Sequence, residues 1–405
     1  MNSPRKAAGT PASSHRRMAY FFFLLGFFAI FSTTISKNPV LPLFSQALGA
    51  DDAVIGFIAT FSPLAGILFS FPVGVLSDHF GRRRLLVASG VVFLVAPLLY
   101  LLITDPAWLI PVRFFHGTAT AILGPVVSTV IAERFPENKG EMLGQYASAT
   151  LIGRSVAPLA GGAIISFFLL SPGLIPYRMV YVTAALAAVP VFAMTLMYRE
   201  ERSGPVNIIP FSVFQRSLVT FGSNRRLRGT ALVDMATYFA YGAFETFLPL
   251  FLSSLGIGAY ETGIIFSVQV LVLAATKPFF GRIADRADKR VQIAAGLAIT
   301  GLSAAAIPIV SSFPSFLLLG SLFGLGMSLS TVATVAYVAD VARREEIGAS
   351  MGALSSIMDI GQSSGPLVTG VVIAAAGYAT GFLVSFFLAC AVTVLFALAV
   401  WDRRA

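Results

Sequence analysis

The sequence predicts an all-α polytopic membrane protein in which about twelve transmembrane helices form two parallel six-helix repeats around a central cavity. Composition is the first observation: of 405 residues, 56% are hydrophobic and 12% charged, and the mean hydropathy is +0.83. That hydropathy is well above the range of soluble globular domains. The second observation is the recurrence of apolar runs along the whole chain, and the third is an internal repeat.

The apolar runs are long enough to cross a bilayer. A span needs about 20 residues at a rise of about 1.5 Å per residue, and runs such as 18–31, 85–103 and 389–401 meet this need. They predict a first bundle over 18–198 and a second over 229–401. Short cytoplasmic tails at 1–17 and 402–405 and a cytoplasmic linker at 199–228 complete the organisation, with a possible interfacial helix at 208–221.

The basic residues follow the topology of these spans. The net charge is +9, and with both termini in the cytoplasm the clusters 82–84, 225–228 and 282–290 all fall on the inner side, whereas Arg178 is on the outer side. This is the positive-inside pattern. It accounts for the basic balance without a nucleic-acid partner. We therefore expect a multi-pass protein of the cytoplasmic (inner) membrane, surrounded by lipid and functional as a monomer.

Several chemical functions are disfavoured by the residues present. The one cysteine, Cys390, excludes a disulfide within the chain and any cysteine-based metal site. No Gly-Lys-Ser phosphate loop, nucleophile elbow or His-rich cluster occurs in the sequence. We expect no enzymatic activity, no bound metal and no cofactor.

The internal repeat relates the two halves at an offset of 207 or 208 positions. The matching segments are 41–44 with 248–251, Gly74 and Asp78 with Gly281 and Asp285, and Gly153 and Pro158 with Gly361 and Pro366. An offset of six helices keeps both copies in the same orientation, so the halves are related by an axis along the membrane normal. A substrate path is expected between them.

The segment after the second span carries a recognisable motif: Gly74, Asp78, Gly81, Arg82 and Arg83. It resembles the cytoplasmic loop between helices 2 and 3 of the major facilitator superfamily, with His79 at a position where that family usually has Arg. The resemblance implies that Asp78 caps a neighbouring helix and pairs with an Arg, holding the outward-facing state, because a carboxylate is stabilised at a helix N-terminus. The second copy, at Gly281, Asp285 and Arg286, implies an equivalent loop.

The fifth predicted helix resembles the antiporter motif of drug-exporting major facilitators, with Ala157 replacing one glycine. Its residues are Gly144, Gly153, Ala157, Pro158, Gly161 and Gly162, and the second half repeats them in part at Gly361, Gly365 and Pro366. Small residues permit close helix packing and proline kinks a helix, so ordinary packing is the alternative interpretation. The resemblance covers the whole chain. It implies export in exchange for protons, with the proton gradient as the energy source.

The fourth predicted helix carries Arg113 four residues before Gly117. This spacing resembles a second motif of the same family, and the resemblance implies a role for Arg113 in proton coupling or in handling substrate charge. His116 is expected to hydrogen-bond between helices rather than to carry protons.

Ionisable residues within spans are candidates for function, because burial of a charge in hydrocarbon is costly without a partner or a cavity. The first half contributes cations and the second half carboxylates, which predicts a bipolar cavity. Its expected lining is Lys37, Asn38, Arg113, Arg154, Tyr238, Tyr241, Glu245, Gln269 and Asp359. Lys37 either snorkels to the interface or forms a gate with Glu245. Asp234 is a further functional candidate, for which a structural pair near the cytoplasmic end is the alternative, and Lys277 is expected as an interfacial anchor.

Three functional hypotheses remain open at this stage. The first is proton-coupled efflux of drugs or metabolites by alternating access, with Asp359 or Glu245 carrying the proton. The second is transport, in either direction, of an anionic organic solute or a metallophore, because the buried residues of the first half are all cations. The third is a receptor or scaffold that transports nothing.

Overall fold

The computed structural model describes residues 12–199, 219, 222–342 and 347–400, without the side chains at 12–15, 71–72, 74–80 and 347–349. The described residues form helices joined by short connections. In chain order the helices are α1 (Ala12–Ile35), α2 (Val40–Ala47), α3 (Asp52–Phe80), α4 (Arg82–Tyr100), α5 (Leu109–Arg134), α6 (Lys139–Phe167), α7 (Ile175–Met197), α8 (Arg225–Ser254), α9 (Ala259–Arg286), α10 (Lys289–Ala306), α11 (Phe313–Val341) and α12 (Ile347–Val400).

Ten helical segments of the described chain are long and apolar enough to cross a membrane. One of them joins α1 to α2, and another, Ser350–Val400, has 51 residues and is interrupted at Gly377, where φ is 82°. Helix α8 has 30 residues but is not among the ten, because Asp234 and Glu245 lie in its interior. The predicted twelve spans are reached only when α8 is counted and α12 is counted as two.

Local signals explain where several helices begin and end. Asp51 accepts a hydrogen bond from the amide of Val54 at the start of α3, and Asn224 does the same for the second and third residues of α8. Consequently α8 begins at Arg225, before the expected 229. Asp288 caps α10 through Arg290, and these hydrogen bonds lower the pKa of the Asp288 carboxyl. The tail at 1–11, the segment 200–218 with most of the expected interfacial helix, and the tail at 401–405 lie outside the described residues.

The two halves are built from equivalent helix pairs. In the first half α1 packs on α6, α3 on α5 and α4 on α7; in the second half α8 packs on α12, α9 on α11 and α10 on α12. The halves contact each other through α3 with α12 and α6 with α9. Because successive helices reverse direction, the bundle has two ends. We call them the Gly49 end, at connections 48–51, 101–108, 168–174 and 255–258, and the Gly81 end, at connections 81, 135–138 and 287–288.

Glycines allow the halves to touch near the Gly49 end. A Cβ at Gly56 of α3 would overlap the carbonyl oxygen of Pro366, and one at Gly263 of α9 would overlap that of Pro158. Gly56 and Gly263 are repeat partners, as are Pro158 and Pro366. The same contact therefore occurs twice, as a two-fold axis between the halves requires.

The remaining contacts between the halves extend this arrangement inward. The Tyr378 hydroxyl donates to Asp52 over 3.0 Å, and the Thr60 hydroxyl donates to the carbonyl of Ser363 over 3.0 Å. Toward the Gly81 end, a Cβ at Gly144 or Gly352 would meet no atom within 4 Å. The described contacts between the halves thus concentrate on the side of the Gly49 end.

Candidate functional site

A cavity of about 320 Å³ lies between the halves, bordered by α1, α3, α5, α6, α8 and α12. Its size falls in the range of pockets that bind small molecules, roughly 300–1,000 Å³. All of the expected lining residues except Gln269 border it: Lys37, Asn38, Arg113, Arg154, Tyr238, Tyr241, Glu245 and Asp359. Polar residues that we did not single out from the sequence, such as Ser62, Thr120 and Gln362, also line it.

Glu245 is held by donors from both halves. The Lys37 ammonium lies 2.5 Å from Glu245 Oε2, Asn38 Nδ2 donates to Oε1 over 2.7 Å, and Gln362 Nε2 donates to Oε2 over 3.2 Å. Glu245 is 4% exposed, so this carboxylate is both neutralised and hydrogen-bonded, as a buried charge requires. Lys37 does not snorkel away from the bundle but joins α8 to the first half, and its ammonium lies 6.0 Å from the Tyr241 ring centroid.

The break between α1 and α2 makes this pairing possible. Helix α1 ends at Ile35 and α2 begins at Val40, so residues 36–39 form a turn between them. Pro39 contributes to this break because a proline has no amide hydrogen for a continuous helix. Asn38 is the repeat counterpart of Glu245. Their hydrogen bond therefore joins equivalent positions and marks where the two-fold axis passes.

Two arginines of the first half face the cavity without an ion pair in the part of the chain that the structure describes. Arg113, on α5, is 2% exposed and its Nε has no hydrogen-bond partner there. Arg154, on α6, is exposed to the cavity. Lys277 lies within electrostatic range of Arg154, so the structure adds a further cation to this region, where the sequence suggested only an interfacial anchor.

His116 lies one turn beyond Arg113 and also borders the cavity. It is 3% exposed, its ring centroid lies 5.9 Å from that of Tyr100, and both ring nitrogens lack a partner among the described residues. The hydrogen bond between helices that we expected from the sequence is therefore not formed here.

Asp359 is the cavity carboxylate without an ion-pair partner among the described side chains. It lies on α12 against Gly66 of α3, where a Cβ would be 2.9 Å from its Oδ2. Tyr238 lies within electrostatic range of Asp359, Arg154 and Asp234. Asp234 is 4% exposed and makes no ion pair within the described ranges, so the structural pair considered from the sequence is not formed. It lies one turn before Tyr238 on the same face of α8 and is not among the residues that line the cavity.

Gln269 does not line the cavity, which corrects the sequence-based expectation. It is 1% exposed, and a Cβ at Gly324 of α11 would overlap its carbonyl oxygen. The physical reason is helix rotation: α9 packs Gln269 against α11 within the second half, where the absent side chain of Gly324 leaves room.

The charges of the cavity do not cancel. Lys37 and Glu245 neutralise each other. The cavity wall also contains two guanidinium groups, those of Arg113 and Arg154, and one further carboxyl group, that of Asp359. Over the described residues, no group of three or more His, Cys, Asp or Glu side chains is placed to hold a metal ion.

The small residues of the antiporter-like motif have two structural roles. Within a half, Gly153 brings α6 against the backbone of α1 at Phe27, and Gly361 and Gly365 bring α12 against the backbone of α8. Ala157 is fully buried, and Gly161 lies near Ile35 at the end of α1. Between the halves, a Cβ at Gly162 would overlap the carbonyl oxygen of Ala259, next to the Pro158 contact. The motif is thus used both for helix pairing and for closure at the Gly49 end.

The predicted switch loops are described only in part. The side chain of Asp78 lies outside the described part of the structure, as do the surroundings of Gly74, so the expected capping role stays a prediction. Gly81 ends α3 with a φ of 83°, a conformation that favours glycine. Arg83 donates to the carbonyl of Leu196 over 3.5 Å. In the second copy, Gly281 precedes Asp285 and Arg286, both of which are exposed.

Each half carries an equivalent ion pair at the Gly81 end. Arg82 pairs with Glu133 at the end of α5, and Lys289 pairs with Asp340 at the end of α11 over 2.8 Å. Arg82 and Lys289 are repeat partners, and so are Glu133 and Asp340. We did not single out these acids from the sequence, although the offset of 207 relates both members of the pair.

Comparisons with known proteins agree with this architecture. The family model of the Major Facilitator Superfamily matches residues 22–293 and 230–405. An uncharacterized MFS-type transporter of Methanocaldococcus jannaschii is 23% identical, over 82% of this chain and 85% of that protein. A multi-drug resistance efflux pump PmrA homolog of Lactococcus lactis is 23% identical, over 87% of each chain. A crystal structure of a bacterial homolog of the human lysosomal transporter Spinster superposes with a TM-score of 0.72 at 17% identity, covering 97% of this chain and 96% of that one.

Proposed function

We propose that this chain, which belongs to the Major Facilitator Superfamily, is a proton-coupled exporter of small organic molecules in the cytoplasmic membrane. It is a multi-pass membrane transporter and not an enzyme. The finer proposal of efflux is supported by its likeness to a protein named as a multi-drug resistance efflux pump homolog, and by a cavity of small-molecule size between two halves that can rock about it.

The orientation of the chain supports loading from the cytoplasm. The basic clusters at 82–84, 225–228 and 282–290 lie toward the Gly81 end, which the positive-inside rule assigns to the cytoplasm. The contacts between the halves then lie nearer the outer surface. An exporter in this state would receive its substrate from the inside.

Asp359 is the group best suited to carry the coupling proton, and its position is the observation on which the proposal depends. Its carboxylate lies in the cavity wall, has no ion-pair partner among described residues and abuts Gly66 of the opposite half. Protonation would remove a charge from the contact between halves. Glu245, in contrast, is paired with the Lys37 ammonium and accepts hydrogen bonds from the side-chain amides of Asn38 and Gln362.

The test is transport by the purified protein in liposomes, with and without an imposed pH gradient, of a panel of aromatic compounds that includes cations (ethidium and Hoechst 33342), neutral compounds and carboxylates. We expect the gradient to accelerate transport by the wild type. Asp359→Asn should abolish that acceleration but retain exchange of labelled for unlabelled substrate, because a permanently neutral residue still permits rocking of the halves. Glu137→Gln, which removes an exposed carboxylate, is the matched control.

Two results would contradict the proposal. A wild type that moves no compound of the panel, with or without the pH gradient, would refute drug efflux. Acceleration by the gradient that persists in Asp359→Asn would refute the assignment of the proton to this residue.

A further inference from the structure

The geometry points to an organic anion as the substrate, with its carboxylate or equivalent acidic group bound between Arg113 and Arg154; we propose this as a deepening of the exporter function on which it rests. Both guanidinium groups face the cavity. Neither has an ion-pair partner in the described part of the chain. These two arginines lack a counter-charge among the described residues, whereas Glu245 already has one in Lys37.

Arg113 is the more deeply buried of the two arginines. A guanidinium in a membrane-spanning segment is costly unless it is paired or reaches water, yet Arg113 is 2% exposed with an unpartnered Nε. The hydrogen-bonding potential of buried polar atoms is normally satisfied. Since no described carboxylate supplies the missing partner, a bound anion is the partner that fits, and a guanidinium binds carboxylates with two parallel hydrogen bonds.

His116 gives a second, independent indication of a ligand. Its side chain is 3% exposed and borders the same cavity, and neither Nδ1 nor Nε2 has a partner among the described residues. A neutral imidazole always presents one N–H donor. Since the ring borders the cavity one turn from Arg113, a ring rotation that brings this donor to the cavity lets it bind a second oxygen of the same anion.

The carboxylates of the cavity explain why a cationic substrate fits less well. Glu245 is occupied by Lys37, Asn38 and Gln362, so a cation could bind it only by displacing an existing ion pair. Asp359 alone remains. A substrate cation would also approach Arg154 and Lys277, and like charges repel strongly where water is scarce.

The other cavity residues define the body of the substrate. Tyr238 and Tyr241 on α8 and Met358 on α12 supply aromatic and polarisable surface, which favours a flat aromatic group. With about 320 Å³ available, an aromatic acid of one or two rings fits. Outward movement of such an anion is also favoured by a membrane potential that is negative inside.

The experiment compares three triplets of matched probes by thermal shift and by exchange in liposomes. Each triplet joins a carboxylate, its neutral carboxamide and an amine of the same ring system: 1-naphthoate, 1-naphthamide and 1-naphthylmethylamine; indole-3-acetate, indole-3-acetamide and tryptamine; and phenylacetate, phenylacetamide and phenethylamine. Ligand binding raises the melting temperature. We expect the carboxylate to bind about tenfold or more tightly than its amide, the usual scale of a charge-assisted hydrogen bond.

Substitutions identify the site. Arg154→Gln and Arg113→Gln should each abolish the preference for the carboxylate, and Lys139→Gln, which removes an exposed cation of the same half, should leave it unchanged. Arg113→Lys and the cavity-exposed Arg154→Gln keep the test valid if Arg113→Gln does not fold. His116→Gln, which retains a donor, should weaken the preference less than His116→Leu.

The outcomes separate this proposal from the exporter function. It is overturned if the amines bind best, if no carboxylate binds, or if the preference survives both arginine substitutions. If ethidium still moves in response to a pH gradient in any of those cases, the exporter function stands and only the substrate class is wrong. If the carboxylates bind as expected but no solute is moved, efflux fails and the anion site stands.

Discussion

Closure at the Gly49 end depends on two glycines, and replacing them should open it. A Cβ at Gly56 would lie within 3.0 Å of both the carbonyl oxygen and the carbonyl carbon of Pro366, and a Cβ at Gly263 would meet the same atoms of Pro158. Because the obstructing atoms belong to the backbone, no side-chain rotation relieves the overlap. The variants Gly56→Ala and Gly263→Ala should therefore disfavour the closed arrangement.

The expected magnitude follows from the cost of overpacking a close contact, about 1–3 kcal/mol per inserted methyl group. Each substitution should then raise the ratio of open to closed molecules at this end by a factor of about 5 to 150. The two contacts involve different helix pairs, so their effects should add in free energy and multiply in population.

The assay is the rate at which a water-soluble maleimide labels a reporter cysteine at the closed interface. Cys390 is exposed and is first replaced by Ser. Thr246→Cys is a near-isosteric reporter, since Thr246 is 4% exposed and lies beside Glu245 and Ile55. While the open state is the minor one, the labelling rate is proportional to its population.

Matched controls decide the result. Gly124→Ala and Gly352→Ala introduce the same methyl group where no atom lies within 4 Å, so they should leave the labelling rate unchanged. Equal rates in all four variants, or an equal increase in the controls, would refute the argument that Gly56 and Gly263 permit closure.

Two further predictions concern stability, measured by thermal unfolding of the purified protein. Glu245→Met should destabilise by about 3 kcal/mol, the lower end for breaking a buried ion pair, because it leaves the Lys37 ammonium without its counter-charge. The double variant Lys37→Met/Glu245→Met should recover part of that loss; a loss equal to the sum of those of Lys37→Met and Glu245→Met would contradict the coupling. Gly81→Ala should cost about 1–3 kcal/mol, because φ is 83° there. Gly144→Ala, at a helical position with open space, should be neutral or slightly stabilising, and an equal loss in both would contradict the backbone argument.

The sequence predicted the charged part of the cavity well, and the reason is energetic. Lys37, Arg113, Arg154, Glu245 and Asp359 lie within spans, where a charge must face a cavity or a partner, and all of them border the same cavity. The repeat placed Asn38 and Glu245 at corresponding positions, which anticipated the ion pair between the halves. These inferences needed no knowledge of side-chain conformation.

Uncharged residues were placed less reliably: Asn38, Tyr238 and Tyr241 line the cavity as predicted, but Gln269 does not. A glutamine is tolerated on either face of a helix, so the pattern did not show that Gln362 lines the cavity while Gln269 packs against α11. Successive residues differ by about 100° around a helix, and one such step moves a side chain out of the cavity. Hydropathy alone does not mark α8 as a span, because the polar residues that line the cavity lower its mean hydropathy.

The hydrogen bond between Asn38 and Glu245 joins positions that are equivalent in the two halves. In a dimer of two identical six-helix chains, the same side chain would stand on both sides of this axis. Two glutamates there would repel, and two asparagines would leave Lys37 without its counter-charge. An acid facing an amide is available only when both halves belong to one chain and can diverge. At this site, a single chain with two divergent halves thus permits a pairing that an exactly symmetric dimer could not have.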